Sequence, residues 1–96
     1  MLNTKEHLLV CFAEECAEVA QVVSKTLRFG IDNERSGKTN LQKLNAEIAD
    51  VFALIEMIAE AGIPLQISRD DIEAKKLKLT HYMEYSRSVS LLEPKI

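Results

Sequence analysis

The sequence predicts an all-α protein: a protomer of three helices, over about residues 3–29, 39–61 and 68–87, that assembles into an oligomeric helical bundle. Three observations point there. Helix breakers and strand formers are scarce, with three Gly, two Pro and 5% aromatic residues in a 96-residue chain that is 47% hydrophobic. Apolar residues fill two long stretches that nothing interrupts. Both stretches are apolar around most of the helical circumference, and such a helix must be surrounded. A chain this short makes one domain and buries a modest fraction of its surface, so a second copy is a common source of added core.

The first helix starts at Asn3, whose side chain caps it while Glu6, three residues on, completes a capping box. Nothing breaks it before Gly30, a C′ residue, which gives about 39 Å of helix at 1.5 Å per residue. Residues 30–40, "GIDNERSGKTN", are polar with two glycines and read as the one real loop, expected to be mobile. Thr39 and Gln42 form a second capping box, and the second helix runs to Ala61, where Gly62 and Pro64 stop it. The third helix starts at Ser68, with Asp70 and Asp71 favouring its N-terminus. It carries Ile72, Leu77, Leu79, Tyr82 and Met83 and fades near Ser88. The tail, residues 89–96, is either frayed or docked on a partner.

Several classes are excluded. A net charge of −3 offers no basic field for nucleic acid. No apolar run is long enough to span a membrane. The opening "MLNTKEHLLV" lacks the basic start and the cleavage motif of a signal peptide. Cys11 and Cys16 are five residues apart on one helix, so they point in different directions and do not pair. Two free thiols suit a reducing compartment, and a cytoplasmic protein is expected.

The chemistry sits in "CFAEECAEVAQVV", residues 11–23. Leu8, Cys11, Glu15, Glu18 and Val22 fall on one narrow stripe, the seam of a helix bundle. Glu15 and Glu18 therefore occupy places that packing would give to Leu. On the second helix Glu47, Asp50, Leu54 and Met57 share a stripe in the same way. If the stripes face each other, four carboxylates converge in a half-dry cleft. Ionised and unpaired there, they would cost several kcal/mol each or take up protons. A lone Glu-Glu-x-x-Glu reads as a solvated helix face; two acid pairs inside apolar stripes point instead to a cation. Oxygen-only ligands select a hard ion, Mg²⁺ with Mn²⁺ as a substitute. A di-iron bundle would need Glu-x-x-His on two helices, and neither His7 nor His81 has such a partner. Mg²⁺ is commonly shared with substrate phosphates, so the expected chemistry is metal-assisted attack on a phosphoanhydride.

Glu14-Glu15-x-x-Glu18, then 28 residues, then Glu47-x-x-Asp50, resembles the signature of the MazG-like all-α nucleoside triphosphate pyrophosphohydrolases. "SKTLRFG", the polar loop and "TNLQKLNAEIADVFALIEMI" look like the small bacterial and phage members, and the resemblance covers residues 5 to about 87. It implies a helical dimer or tetramer that uses Mg²⁺ to cleave a nucleoside triphosphate between the α and β phosphates, leaving monophosphate and pyrophosphate. By motif position it makes Glu15, Glu18, Glu47 and Asp50 metal ligands, and Glu14 and Glu15 the catalytic candidates. Glu14 lies about 100° round the helix from Glu15. It could support the ligands, orient the attacking water, or stand solvated.

A triphosphate also needs cations. Lys25 and Lys43 are the better placed by angular position, with Arg28 near the end of the first helix and Lys38 and Asn40 flanking the loop. Lys75, Lys76 and Lys78 cluster near Tyr82 on the third helix. Phe29 and Tyr82 are the possible base platforms. His7 and His81 read as bystanders, Met57 and Met83 as core. Phosphoribosyl-ATP pyrophosphohydrolase has the same chemistry, but the long loop and "SKTLRFG" favour the MazG-like branch. A third reading is a helical oligomer that binds a nucleotide or partner without turning it over.

Overall fold

The computed structural model describes residues 1–95. They form two compact units, Met1–Leu65 and the residues from Gln66 onward. The described elements are three helices and a two-stranded hairpin, so the all-α expectation is met with a small addition. Ile96, the end of the expected tail, lies outside the described residues.

In the first unit, α1 (Thr4–Phe29) begins on the expected capping box: the Glu6 N–H donates to Asn3 Oδ1 at 2.8 Å and the Asn3 N–H to Glu6 Oε1 at 3.1 Å. It ends at Gly30, whose φ of +95° takes the chain out of the helix. The loop expected over residues 30–40 holds the hairpin, β1 (Glu34–Arg35) paired antiparallel to β2 (Lys38–Thr39). Ser36 and Gly37 turn between the strands with φ of +58° and +80°, the two positive values that a two-residue type I′ turn needs. α2 (Asn40–Glu60) starts on its own capping box, Thr39 with Gln42.

α1 and α2 pack antiparallel. At one end the Leu41 N–H donates to the Ile31 carbonyl at 3.0 Å. At the other, Lys5 Nζ reaches to within 3.7 Å of where a Cβ on Gly62 would stand. Asn40 is the one buried polar residue of the described chain, and its amide donates to the Gly30 carbonyl at 2.7 Å. Its own backbone N–H donates to Asn33 at 3.1 Å. These bonds tie the end of α1 to the start of α2.

Leu8 and Ile58 are the only buried hydrophobic side chains among the described residues. Leu9, Val10, Val23, Leu27, Ile48 and Phe52 are exposed, Leu27 at 82% and Phe52 at 62%. Met57 and Met83, expected in the core, are exposed as well. Two helices cover one stripe of each other, and both of these are apolar well beyond that stripe.

In the second unit, α3 (Arg69–Ser88) is capped by Ser68, which accepts from the Asp71 N–H at 3.2 Å. Beyond it the chain folds back: the Leu91 N–H donates to the Ser86 carbonyl at 2.8 Å and Arg87 Nε to the Glu93 carbonyl at 3.1 Å. These local bonds hold the first turn after α3 against the end of the helix.

Candidate metal centre

Antiparallel packing brings the middle of α1 against the middle of α2, and with it the two acid pairs. Glu15, Glu18 and Glu47 each offer a carboxylate oxygen, and these all lie within 4.8 Å of one another. Glu15 and Glu47 are half-buried and Glu18 is exposed. One oxygen each of Glu15 and Glu47 is shielded from solvent and has no hydrogen-bond partner. Buried carboxylate oxygens are ordinarily satisfied, so these two are the unusual groups of the site.

The electrostatics follow. The Glu15 carboxyl is pushed up from 4.5 to about 7, first by removal from water, then by the negative charge of Glu18, with Asp50 and Glu47 adding to it. Glu47 is also raised, again chiefly by removal from water and then by Glu18 and Asp50. Asp50 thus acts on both residues through its charge. It is exposed and stands outside the trio whose oxygens converge. Glu14 is exposed and outside the trio too, as its angular offset from Glu15 requires.

The residues that follow the four acids, Cys16, Val19, Ile48 and Val51, line an apolar cavity of about 190 Å³. A step of one residue turns a helix by about 100°, so an acidic stripe and an apolar stripe run side by side on both helices.

The donor set fits a hard divalent cation. It is all oxygen, it carries several negative charges, and two of its oxygens are dry and unbonded, a state that a cation would relieve.

The basic candidates separate. Lys25 is exposed and Lys43 half-buried. The Arg28 guanidinium lies 4.9 Å from the centroid of the Phe29 ring, and Arg35 lies 5.0 Å from the same centroid. Phe29, read as a possible base platform, thus spends its ring on two cations. Arg35 escaped the sequence reading. Only the hairpin turns it back over the end of α1, and no spacing rule gives that. Asn40 is committed to the Gly30 carbonyl. In the second unit Lys76 pairs with Glu73 at 3.3 Å, and Lys78 lies 5.7 Å from the Tyr82 ring centroid. Lys75 lines a surface cavity with Ile67, Asp71 and Ile72. His81 is exposed, and His7 contacts Cys11. Both cysteines are free thiols, as their spacing requires. No helix among the described residues is long and apolar enough to cross a membrane.

Compared with protein-family models, with curated proteins and with solved structures, the chain matches none.

Proposed function

We propose that this chain is a metal-dependent hydrolase of phosphoanhydrides built on a helical scaffold. Within that class we assign it to the MazG-like nucleoside triphosphate pyrophosphohydrolases, which cleave between the α and β phosphates to give a monophosphate and pyrophosphate. One observation carries the reading: three carboxylates from two helices converge, and two of their oxygens are dry and unbonded.

Glu15, Glu18 and Glu47 would hold Mg²⁺, or Mn²⁺ in its place, with Asp50 adding charge at the edge. A bound ion of this kind polarises a phosphoryl oxygen and makes a water more acidic. The chain's own part is to place the substrate and move a proton. A carboxylate left free, Glu14 or the unligated oxygen of Glu15, takes the proton of the attacking water. Lys25, Lys43, Arg28 and Arg35 belong to the same unit and supply the positive charge that a triphosphate needs. The active species is a homo-oligomer, because the apolar faces of α1 and α2 need cover that their own unit does not supply.

The test is a panel of canonical and modified nucleoside triphosphates with Mg²⁺, resolving all phosphorus-containing products. Monophosphate plus pyrophosphate is the expected pair. Diphosphate plus phosphate would refute the position of cleavage. No turnover of any triphosphate, with phosphoribosyl-ATP also left intact, would overturn the assignment as an enzyme.

A further inference from the structure

The chain has four arginines, and they fall into two pairs. In the second unit, Arg69 pairs with Glu73 at 2.7 Å and Arg87 donates to the Glu93 carbonyl at 3.1 Å. In the first unit, Arg28 and Arg35 do neither. Among the described residues the ion pairs are Arg69–Glu73 and Lys76–Glu73, both on α3. Acids outnumber Lys and Arg, 15 to 12, so the missing partner is not a matter of supply. Asp32 and Glu34 even share the connection with Arg35, and neither pairs with it.

Both guanidiniums meet one ring instead. Arg28 and Arg35 lie 4.9 Å and 5.0 Å from the centroid of Phe29, which is exposed. The hairpin adds an independent observation. Its register sets Arg35 directly opposite Lys38. Like charges directly opposite across two strands are destabilising, and strands of two residues have few other contacts to offset that. Cations from α1, β1 and β2 thus gather at one end of the unit with no carboxylate among them. An oxyanion there would relieve the repulsion. Each guanidinium also carries five N–H donors in a planar fork that matches two oxygens of a phosphate.

The position is apart from the carboxylates. Arg28 stands ten residues beyond Glu18, about 15 Å along α1. A phosphate held here is therefore not one that a metal ion at Glu15, Glu18 and Glu47 would hold.

We propose that Arg28 and Arg35, seated on Phe29 with Lys38 beside them, form a clamp for a phosphate group other than the one attacked. That phosphate is either a distal phosphoryl group of the substrate or a free phosphate. Only the first source rests on the hydrolase reading.

The test uses the whole chain in EDTA with inorganic phosphate as the probe, read by the Nε–H signals of the four arginines in a nitrogen-edited NMR spectrum. Arg28 and Arg35 should shift together and saturably while Arg69 and Arg87 stay still. Chloride at equal ionic strength should move none of them. Arg35→Ala should weaken the binding seen at Arg28 about tenfold or more. Arg35→Lys should weaken it less, since the charge stays and the fork is lost. Arg69→Ala should change nothing. No shift in the unaltered chain, equal shifts at all four arginines, or an affinity unchanged in Arg35→Ala overturns the clamp. Should Arg35→Ala fail to fold, Arg35→Lys decides, and undiminished phosphate binding there overturns the fork. Turnover then names the source. With the substrate in the clamp, Arg35→Lys raises KM, spares kcat, and inorganic phosphate competes with substrate; with a free phosphate in it, KM holds. The binding measurement needs no turnover, so the clamp and the hydrolase reading fail separately.

Discussion

Glu15 sits on α1 where a bundle seam would carry leucine, and its carboxyl is raised to about 7. The unfolded chain binds that proton with the ordinary value of 4.5, so the folded state holds it more tightly. The resulting stabilisation is complete below 4.5 and is lost as the pH climbs through about 7. Glu47 acts in the same direction. The metal-free protein should therefore melt at lower temperature at pH 8 than at pH 5, and a flat profile in EDTA would refute the cluster's electrostatics. On the proposed function, millimolar Mg²⁺ should restore the melting temperature at pH 8, as an ion that binds only the assembled carboxylates would. Glu15→Gln separates fold from chemistry. A neutral amide cannot be ionised, so this variant should be more stable than the parent above pH 7, equal to it near pH 5, and without turnover. A Glu15→Gln protein that keeps full activity removes Glu15 from the metal site.

Asn40 shows how local bonds set the geometry of the two helices. Its side chain is buried, and its amide serves the Gly30 carbonyl at the end of α1. Asn40→Ala leaves that carbonyl only the longer bond from the Asn33 N–H at 3.4 Å and should cost about 0.5–1.5 kcal/mol in denaturant unfolding. Asn40→Asp should not rescue it, since a carboxylate has no N–H to give. The helix ends were legible in the sequence because capping is local: Asn3 with Glu6, Thr39 with Gln42, and Ser68 all start helices where their spacing says. The acid stripes were legible because helical geometry turns spacing into direction. The hairpin was not. Its two residues per strand are too few for an alternating pattern, and its signal is one Ser-Gly pair inside a polar run. Nor was the place of Asp50 within the cluster. Spacing puts it on the stripe of Glu47, but it stands outside the three converging oxygens.

The unit built from α1 and α2 buries only Leu8 and Ile58 among its hydrophobic side chains. So small a dry core does not hold a fold by itself, and the exposed Leu27 and Phe52 mark faces that a second copy would cover. Sedimentation should find a dimer or larger species, and the melting temperature should fall by a few degrees on tenfold dilution, as mass action requires. Phe52→Asp should shift the distribution to smaller species and lower the melting temperature. A sharp, concentration-independent transition of a monomer would refute the assembly. Exposure also explains why the two methionines were misread. Met57 lies on a stripe that sequence alone marks as interior, yet its own unit sets too little against it to bury it.

The bonds from Asn40 to Gly30 and Asn33, and from Leu41 to Ile31, close the connection at its base. What lies beyond that closure, the hairpin with its turn at Ser36 and Gly37, stands past the ends of both helices, whose middles carry the acids. Extra residues spliced between Ser36 and Gly37 would meet only the slow growth of loop-closure entropy, about 0.6 kcal/mol per doubling of length. The hairpin tip is thus the port through which this scaffold can be extended, by evolution or by grafting, without retuning its carboxylates.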